Sequence, residues 1–144
     1  MLDVCAAVIR RGTLFLLATR PPGSRLAGKW EFPGGKVLAG ESLADCIRRE
    51  LAEELGLEVL AAVLADTVEQ VDPPPALCLH FMECRVAPEA VPIGREGQQV
   101  RWFTIAELGG LDLLPADRVF VQRLTAVPAA SASVGPPAFR RTTE

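Results

Sequence analysis

One helical segment constrains this chain more than any other feature. Leu43, Ile47, Leu51 and Leu55 recur every fourth residue, which on a helix lays down a single apolar stripe. Ser42 stands where an N-cap belongs, with Asp45 three residues on, close to a capping-box pattern. Gly56 supplies a C-terminal stop. The pattern predicts a helix from near Ser42 to Gly56, and any fold must cover its stripe.

The same segment carries chemistry. Glu50, Glu53 and Glu54 stand at i, i+3 and i+4, so they share one edge, roughly a quarter-turn from the stripe. Carboxylates this close raise one another's pKa unless a cation intervenes. Hard oxygen donors on a rigid helix suit Mg²⁺ or Mn²⁺, which in turn grip phosphates. A solvated acidic face satisfies the same spacing, and the pattern alone leaves both readings open. Arg49, one turn before Glu53, is placed to orient or neutralise its neighbours. The preceding Gly34-Gly35 permits close backbone approach and offers a carbonyl ligand.

Around this helix the chain reads as strands and turns. Val4 to Ile9 and Thr13 to Thr19 are β-rich runs joined at Arg10-Arg11-Gly12, a hairpin pattern. Pro21 to Gly28 is a loop. Lys29 to Phe32 reads as a short strand stopped by Pro33-Gly34-Gly35. Leu57 to Val71 and Leu77 to Val86 read as strands separated by Pro73-Pro74-Pro75, Val100 to Phe103 as another, and Asp117 to Ala126 as a terminal helix. This irregular alternation predicts an α/β fold with a mixed sheet. From Pro128 onward Ala, Ser, Pro and Gly dominate, so residues 1–127 are expected to form one domain and 128–144 a disordered tail.

Composition narrows the partners. With 144 residues, one domain with a real core is expected. A formal net charge of −3 disfavours nucleic-acid polymers, whose binding runs on Lys and Arg neutralising phosphates. A small anionic substrate is compatible if a metal supplies positive charge locally. Cys5, Cys46, Cys78 and Cys84 form no CxxC pair or regular framework and read as reduced, mostly buried thiols. No apolar run reaches membrane-spanning length, and the start at Met1-Leu2-Asp3-Val4 lacks signal-peptide features, so a cytoplasmic location is expected. With no serine or cysteine paired to a histidine, covalent catalysis has little support.

Gly35, five residues, Glu41, seven residues, then Arg49-Glu50-Leu51-Ala52-Glu53-Glu54-Leu55-Gly56-Leu57 resembles the Nudix box at every specified position. The resemblance implies the Nudix fold, a mixed β-sheet sandwiched between helices. It also implies that the Gly35 carbonyl, Glu50, Glu53 and Glu54 hold catalytic Mg²⁺ (or Mn²⁺), and that Glu41 and Arg49 pair to fix the helix against the loop. Trp30-Glu31-Phe32-Pro33-Gly34-Gly35-Lys36 is similar to the MutT branch, which hydrolyses nucleoside triphosphates to monophosphate and pyrophosphate. Gly94-Arg95-Glu96-Gly97-Gln98 resembles the loop of that branch bringing a further glutamate, here Glu96, as ligand or general base. An ordinary loop carboxylate is the competing reading.

Other resemblances to the branch are shorter. Leu114-Pro115-Ala116-Asp117 is similar to a base-contacting segment that carries Asn where this chain has Asp117; a carboxylate accepts hydrogen bonds only, which alters the preferred base edge. Asp117 also suits the role of helix cap. Arg20, fifteen residues before Gly35, matches a phosphate-contacting arginine, with a solvated arginine as the alternative. Phe32 packs on a base or in the core, and Trp102 is assigned to the core. Pro73-Pro74-Pro75-Ala76 offers no counterpart for a further base-contacting arginine, while Leu79-His80 is closer to CTP-type pyrophosphohydrolases; His80 is a substrate-contact candidate or a packed strand residue. The expected substrate is therefore a small nucleotide, 8-oxo-dGTP or a CTP-type pyrimidine triphosphate, for a monomer or homodimer. An ADP-ribose hydrolase ranks behind these, since only 34 residues precede Gly35. A non-catalytic nucleotide-binding module is the reading from a different class.

Overall fold

A ten-residue strand, β1 (Leu2–Arg11), organises the molecule, which we describe over residues 1–126 from a computed structural model. One edge of β1 pairs in parallel with β6 (Leu77–Arg85) from Leu2 to Ile9, and β6 pairs antiparallel with β5 (Ala61–Gln70). The other edge is shared. Val4 to Ala6 pair with β4 (Gly34–Lys36), and Arg10 and Arg11 pair with β2 (Leu14–Thr19). β2 continues the sheet with β3 (Trp30–Glu31) and β7 (Val100–Thr104). The resulting seven-stranded sheet is mixed, as the irregular alternation of elements predicts.

Both faces are covered. Cys5, Ala7 and Ile9 on β1 point towards α1 (Leu43–Leu55), whose stripe of Ile47, Leu51 and Leu55 is wholly buried with them. Ala6 and Val8 point the other way, into a cluster with Phe32, Phe81 and, from α3 (Pro115–Thr125), Phe120 and Val121. A strand buried on both sides must be apolar at every position, which explains the continuous run from Cys5 to Ile9. The Phe81 and Phe120 rings stack at 4.2 Å, and Phe32 meets Phe120 edge-on at 5.3 Å.

The helix expected from Ser42 to Gly56 forms with both caps in place. Ser42 Oγ accepts from Asp45 N–H at 3.0 Å, and Gly56 takes φ 66° while its N–H reaches the Ala52 carbonyl. Three features depart from expectation. Pro33-Gly34-Gly35 does not simply stop a strand; Gly34 and Gly35 begin β4, because a Cβ at Gly34 would overlap the Cys5 carbonyl. A short helix, α2 (Ile105–Leu108), follows β7, capped by reciprocal bonds between Thr104 and Glu107. The terminal helix starts two residues early, with Pro115 in its first turn. The tail expected from Pro128 lies outside the described residues.

The cysteine reading needs correction. Cys5 and Cys46 are joined in a disulfide across the α1–sheet interface, and only Cys78 and Cys84 are free. The two half-cystines come from β1 and α1, 41 residues apart, so no local spacing announces their meeting. Among the described residues no helix is long and apolar enough to cross a membrane.

Candidate active site

The acidic edge of α1 faces the β4 turn. Glu50 is pressed against the backbone of Gly35 so closely that a Cβ there would overlap its carboxylate. Arg49 spans the junction: Nε and Nη2 donate to the two Glu41 oxygens at 2.8 and 3.0 Å, Nη1 to Glu50 at 2.7 Å, and Nη2 also to the Lys36 carbonyl at 3.0 Å. Glu41 in turn accepts from Leu38 N–H at 3.0 Å. The Arg49 hydrogen bonds, with that of Leu38, hold the Glu41 carboxyl down at about 2, and the two glutamates push the guanidinium pKa up. Helix and turn are thus clamped, leaving Glu50 with a fixed orientation. Glu53, one turn on, is exposed and lies 3.6 Å from Arg49.

Glu54 sits at the centre of the negative charge. Its pKa is pushed up to about 10, first by burial, then by a hydrogen bond with Glu50 and the charges of Glu50, Glu31 and Glu96. The loop carrying Glu96 docks on the end of α1: Ile93 N–H donates to the Leu55 carbonyl at 3.1 Å and Arg95 N–H to that of Glu54 at 2.9 Å. Buried Gln98 closes the loop by accepting from Glu96 N–H at 2.7 Å. Carboxylates from helix and loop therefore converge, with the Gly35 backbone beside them. Every donor is a hard oxygen, and the glycine cradle leaves no room for a side chain. That set fits a divalent cation of the magnesium type.

Beside the edge lies a cavity of about 330 Å³, small-molecule scale. Its walls include Arg20, Glu31, Phe32, Gly35 and Asp117, with Leu79 and Pro75 adding apolar surface. Asp117 is buried; its Oδ1 accepts from Phe32 N–H at 2.8 Å, tying α3 to the end of β3, and the N-cap position itself falls to Leu114. Burial first, and the Glu31 charge second, raise its pKa well above the usual carboxylate range. Arg20 lies 3.7 Å from Glu31, whose pKa burial lifts to about 7 against that pairing. Phe32 is locked into the aromatic core and contributes to the cavity wall.

Arg20, Phe32, Asp117 and Gly35 are therefore brought together, and Glu50, Glu53, Glu54 and Glu96 gather next door. His80 does not join them. Leu77 and Leu79 face the cavity, so the next residue on the same strand projects from the opposite sheet face, where it meets Asp3 and Thr67. Trp102 is half-buried against the α1 cluster, under the Arg11 guanidinium. Glu31 is the residue that reading the sequence missed as a site residue. It acts on both Glu54 and Asp117 and so links the acidic edge to the cavity. The available signal was a charge flanked by Trp30 and Phe32 within a two-residue strand.

Fold and site together define the class: a mixed-sheet α/β enzyme whose oxygen-donor helix edge borders a small-molecule cavity. The chain belongs to the NUDIX family, matching the NUDIX domain over residues 1–124. The 8-oxo-dGTP diphosphatase of Haemophilus influenzae is 34% identical over 126 residues, 86% of this chain and 91% of that protein. The CTP pyrophosphohydrolase of Escherichia coli is 53% identical over 58 residues, 40% of this chain and 43% of its own length. The solved MutT protein from Methanosarcina mazei superposes with a TM-score of 0.76 at 28% identity, covering 86% of this chain and 92% of that one.

Proposed function

We propose that this Nudix hydrolase is a MutT-type pyrophosphohydrolase that cleaves a nucleoside triphosphate to its monophosphate and pyrophosphate. The observation that carries the reading is the adjacency of the Glu50–Glu53–Glu54 edge and the Gly35 cradle to the Asp117 cavity. That layout suits a triphosphate chain along the edge with the base in the cavity. Glu50, Glu53, Glu54 and the Gly35 carbonyl, with Glu96 from the loop, would hold Mg²⁺. When bound, the ion neutralises phosphate charge and lowers the pKa of water. Arg49 keeps Glu50 in place, Arg20 contacts phosphate, and Glu96 or an unligated helix glutamate takes the proton from attacking water.

Asp117 tunes base choice. Burial and the Glu31 charge raise its pKa well above the usual carboxylate range, while Oδ1 accepts from Phe32 N–H. Ionised, a carboxyl only accepts hydrogen bonds, whereas protonated it also donates, so the base edge it selects depends on its proton. The names of the relatives leave two substrate readings in play, 8-oxo-dGTP and CTP. We favour 8-oxo-dGTP because the relative so named matches nearly the whole chain. Removal of a damaged nucleotide from the pool places the enzyme in the cytoplasm.

The test is a steady-state comparison of 8-oxo-dGTP, dGTP, CTP, 5-hydroxy-CTP and ADP-ribose with Mg²⁺, resolving pyrophosphate from orthophosphate. The expected result is pyrophosphate with the highest kcat/KM on 8-oxo-dGTP. Orthophosphate alone, or nucleotide binding without any product, would overturn the reading.

A further inference from the structure

A second cluster of ligand-type side chains lies on the sheet face that carries α1, and the nucleotide reading makes no use of it. β1 and β6 are parallel, with Asp3 opposite Cys78 and Cys5 opposite His80. Side chains in register on adjacent strands share a face, so Asp3, Cys78 and His80 all project towards the same side. A carboxylate oxygen, the thiol sulfur and an imidazole nitrogen lie within 4.8 Å of one another. His80 Nε2 is 2.9 Å from Asp3 Oδ1, and its Nδ1 is 3.5 Å from Thr67 Oγ1. Glu69 stands opposite Cys78 on β5 and therefore borders the cluster on the same face.

We propose that Asp3, Cys78 and His80 form a divalent metal site of the zinc or cobalt type, separate from the carboxylate edge of α1, with Glu69 as its neighbouring fourth donor. The donor set decides the metal. Thiolate and imidazole favour a borderline-soft ion, whereas every donor at the α1 edge is a hard oxygen. Tetrahedral coordination wants donor atoms about 3.5 Å apart, so the set must contract slightly. The Asp3 side chain, 58% exposed, has the freedom to do so.

The main competing chemistry for these residues is a nucleophilic cysteine with a histidine base. The surroundings argue against it. The Cys78 thiol is raised by burial and by the charges of Asp3 and Glu69, the reverse of an activated nucleophile. Each histidine nitrogen has an oxygen partner, Asp3 Oδ1 on Nε2 and Thr67 Oγ1 on Nδ1, so His80 is not hydrogen-bonded to the Cys78 thiol as a base would be. Negative charge that resists a bare thiolate attracts a cation, and the cation displaces the thiol proton to solvent as it binds.

Cobalt makes the test specific, because thiolate ligation to Co²⁺ produces a near-ultraviolet charge-transfer band that carboxylate ligation does not. Cys5 and Cys46 are bonded to each other and Cys84 is buried away from the cluster, so Cys78 alone is positioned to give the band. Titrating the full chain with Co²⁺ should develop this band to saturation at one equivalent. It should vanish in Cys78→Ser, fall at least about tenfold in affinity in His80→Asn, and persist in Glu53→Gln and Cys84→Ser. Zn²⁺ should displace it at near-stoichiometric concentration while millimolar Mg²⁺ does not. No band in the folded protein, or an unchanged band in Cys78→Ser with native circular dichroism, would overturn the proposal.

Discussion

Glu53 is the most direct residue at which to separate chemistry from stability. Its side chain is exposed on the helix edge and carries no hydrogen bond that the fold needs beyond its proximity to Arg49. Glu53→Gln should cut kcat at least about a hundredfold, near 2.7 kcal/mol of transition-state stabilisation, with the melting temperature almost unchanged. Steady-state assay beside thermal unfolding checks this, and near-normal turnover would remove the metal assignment. Asp117 asks a different question. An amide keeps an oxygen for Phe32 N–H and offers a fixed donor, so Asp117→Asn should shift the ratio of kcat/KM between 8-oxo-dGTP and CTP about tenfold or more. An unchanged ratio would mean that the residue serves only to tie α3 to β3. The acidic edge was legible because helical spacing places i, i+3 and i+4 together whatever the tertiary fold. Glu31 and His80 were not, because the sheet face a strand residue occupies depends on pairing that no local pattern records.

At the scale of elements, β4 and α1 form one unit, and its two glycines answer to different neighbours. At Gly34 an added Cβ meets the Cys5 backbone, which cannot move without breaking the β1–β4 ladder. At Gly35 it meets the far end of the Glu50 side chain, which can swing away. Gly34→Ala should therefore cost about 1–3 kcal/mol of stability, whereas Gly35→Ala should lose activity out of proportion to stability. Denaturant unfolding and assay of both variants decide it; equal stability losses would contradict the account. α1 was readable to within a residue because both caps and the stripe are local. α2 carried its own signal in the Thr104–Glu107 box, but its four residues give no periodicity to notice. β4 and the Cys5–Cys46 bond were hidden because each depends on segments distant in sequence coming together.

For the molecule as a whole, the buried acids set a pH dependence. Glu54 is raised to about 10, Glu31 and Glu83 to about 7, and Asp117 is raised as well, all chiefly by burial. The folded chain therefore holds protons that the unfolded chain releases above about pH 4.5. Their contribution to stability is complete at low pH and is lost as pH climbs, Glu31 and Glu83 finishing near 7 and Glu54 continuing towards 10. Without divalent cations the melting temperature should fall between pH 6 and pH 9, and Mg²⁺ should raise it more at pH 9. In Glu54→Gln both effects should shrink. A melting temperature that rises with pH in EDTA would contradict the clustering of these carboxylates.

The central claim is that the Glu50–Glu53–Glu54 edge with the Gly35 cradle holds divalent cations against a triphosphate chain. A crystal structure with Mg²⁺ and a non-hydrolysable nucleoside triphosphate tests it most directly. The account predicts Mg²⁺ on those carboxylates and the Gly35 carbonyl, bridging to phosphate oxygens, with the base against Asp117. Phosphates bound elsewhere, with the helix carboxylates directed into solvent, would contradict it.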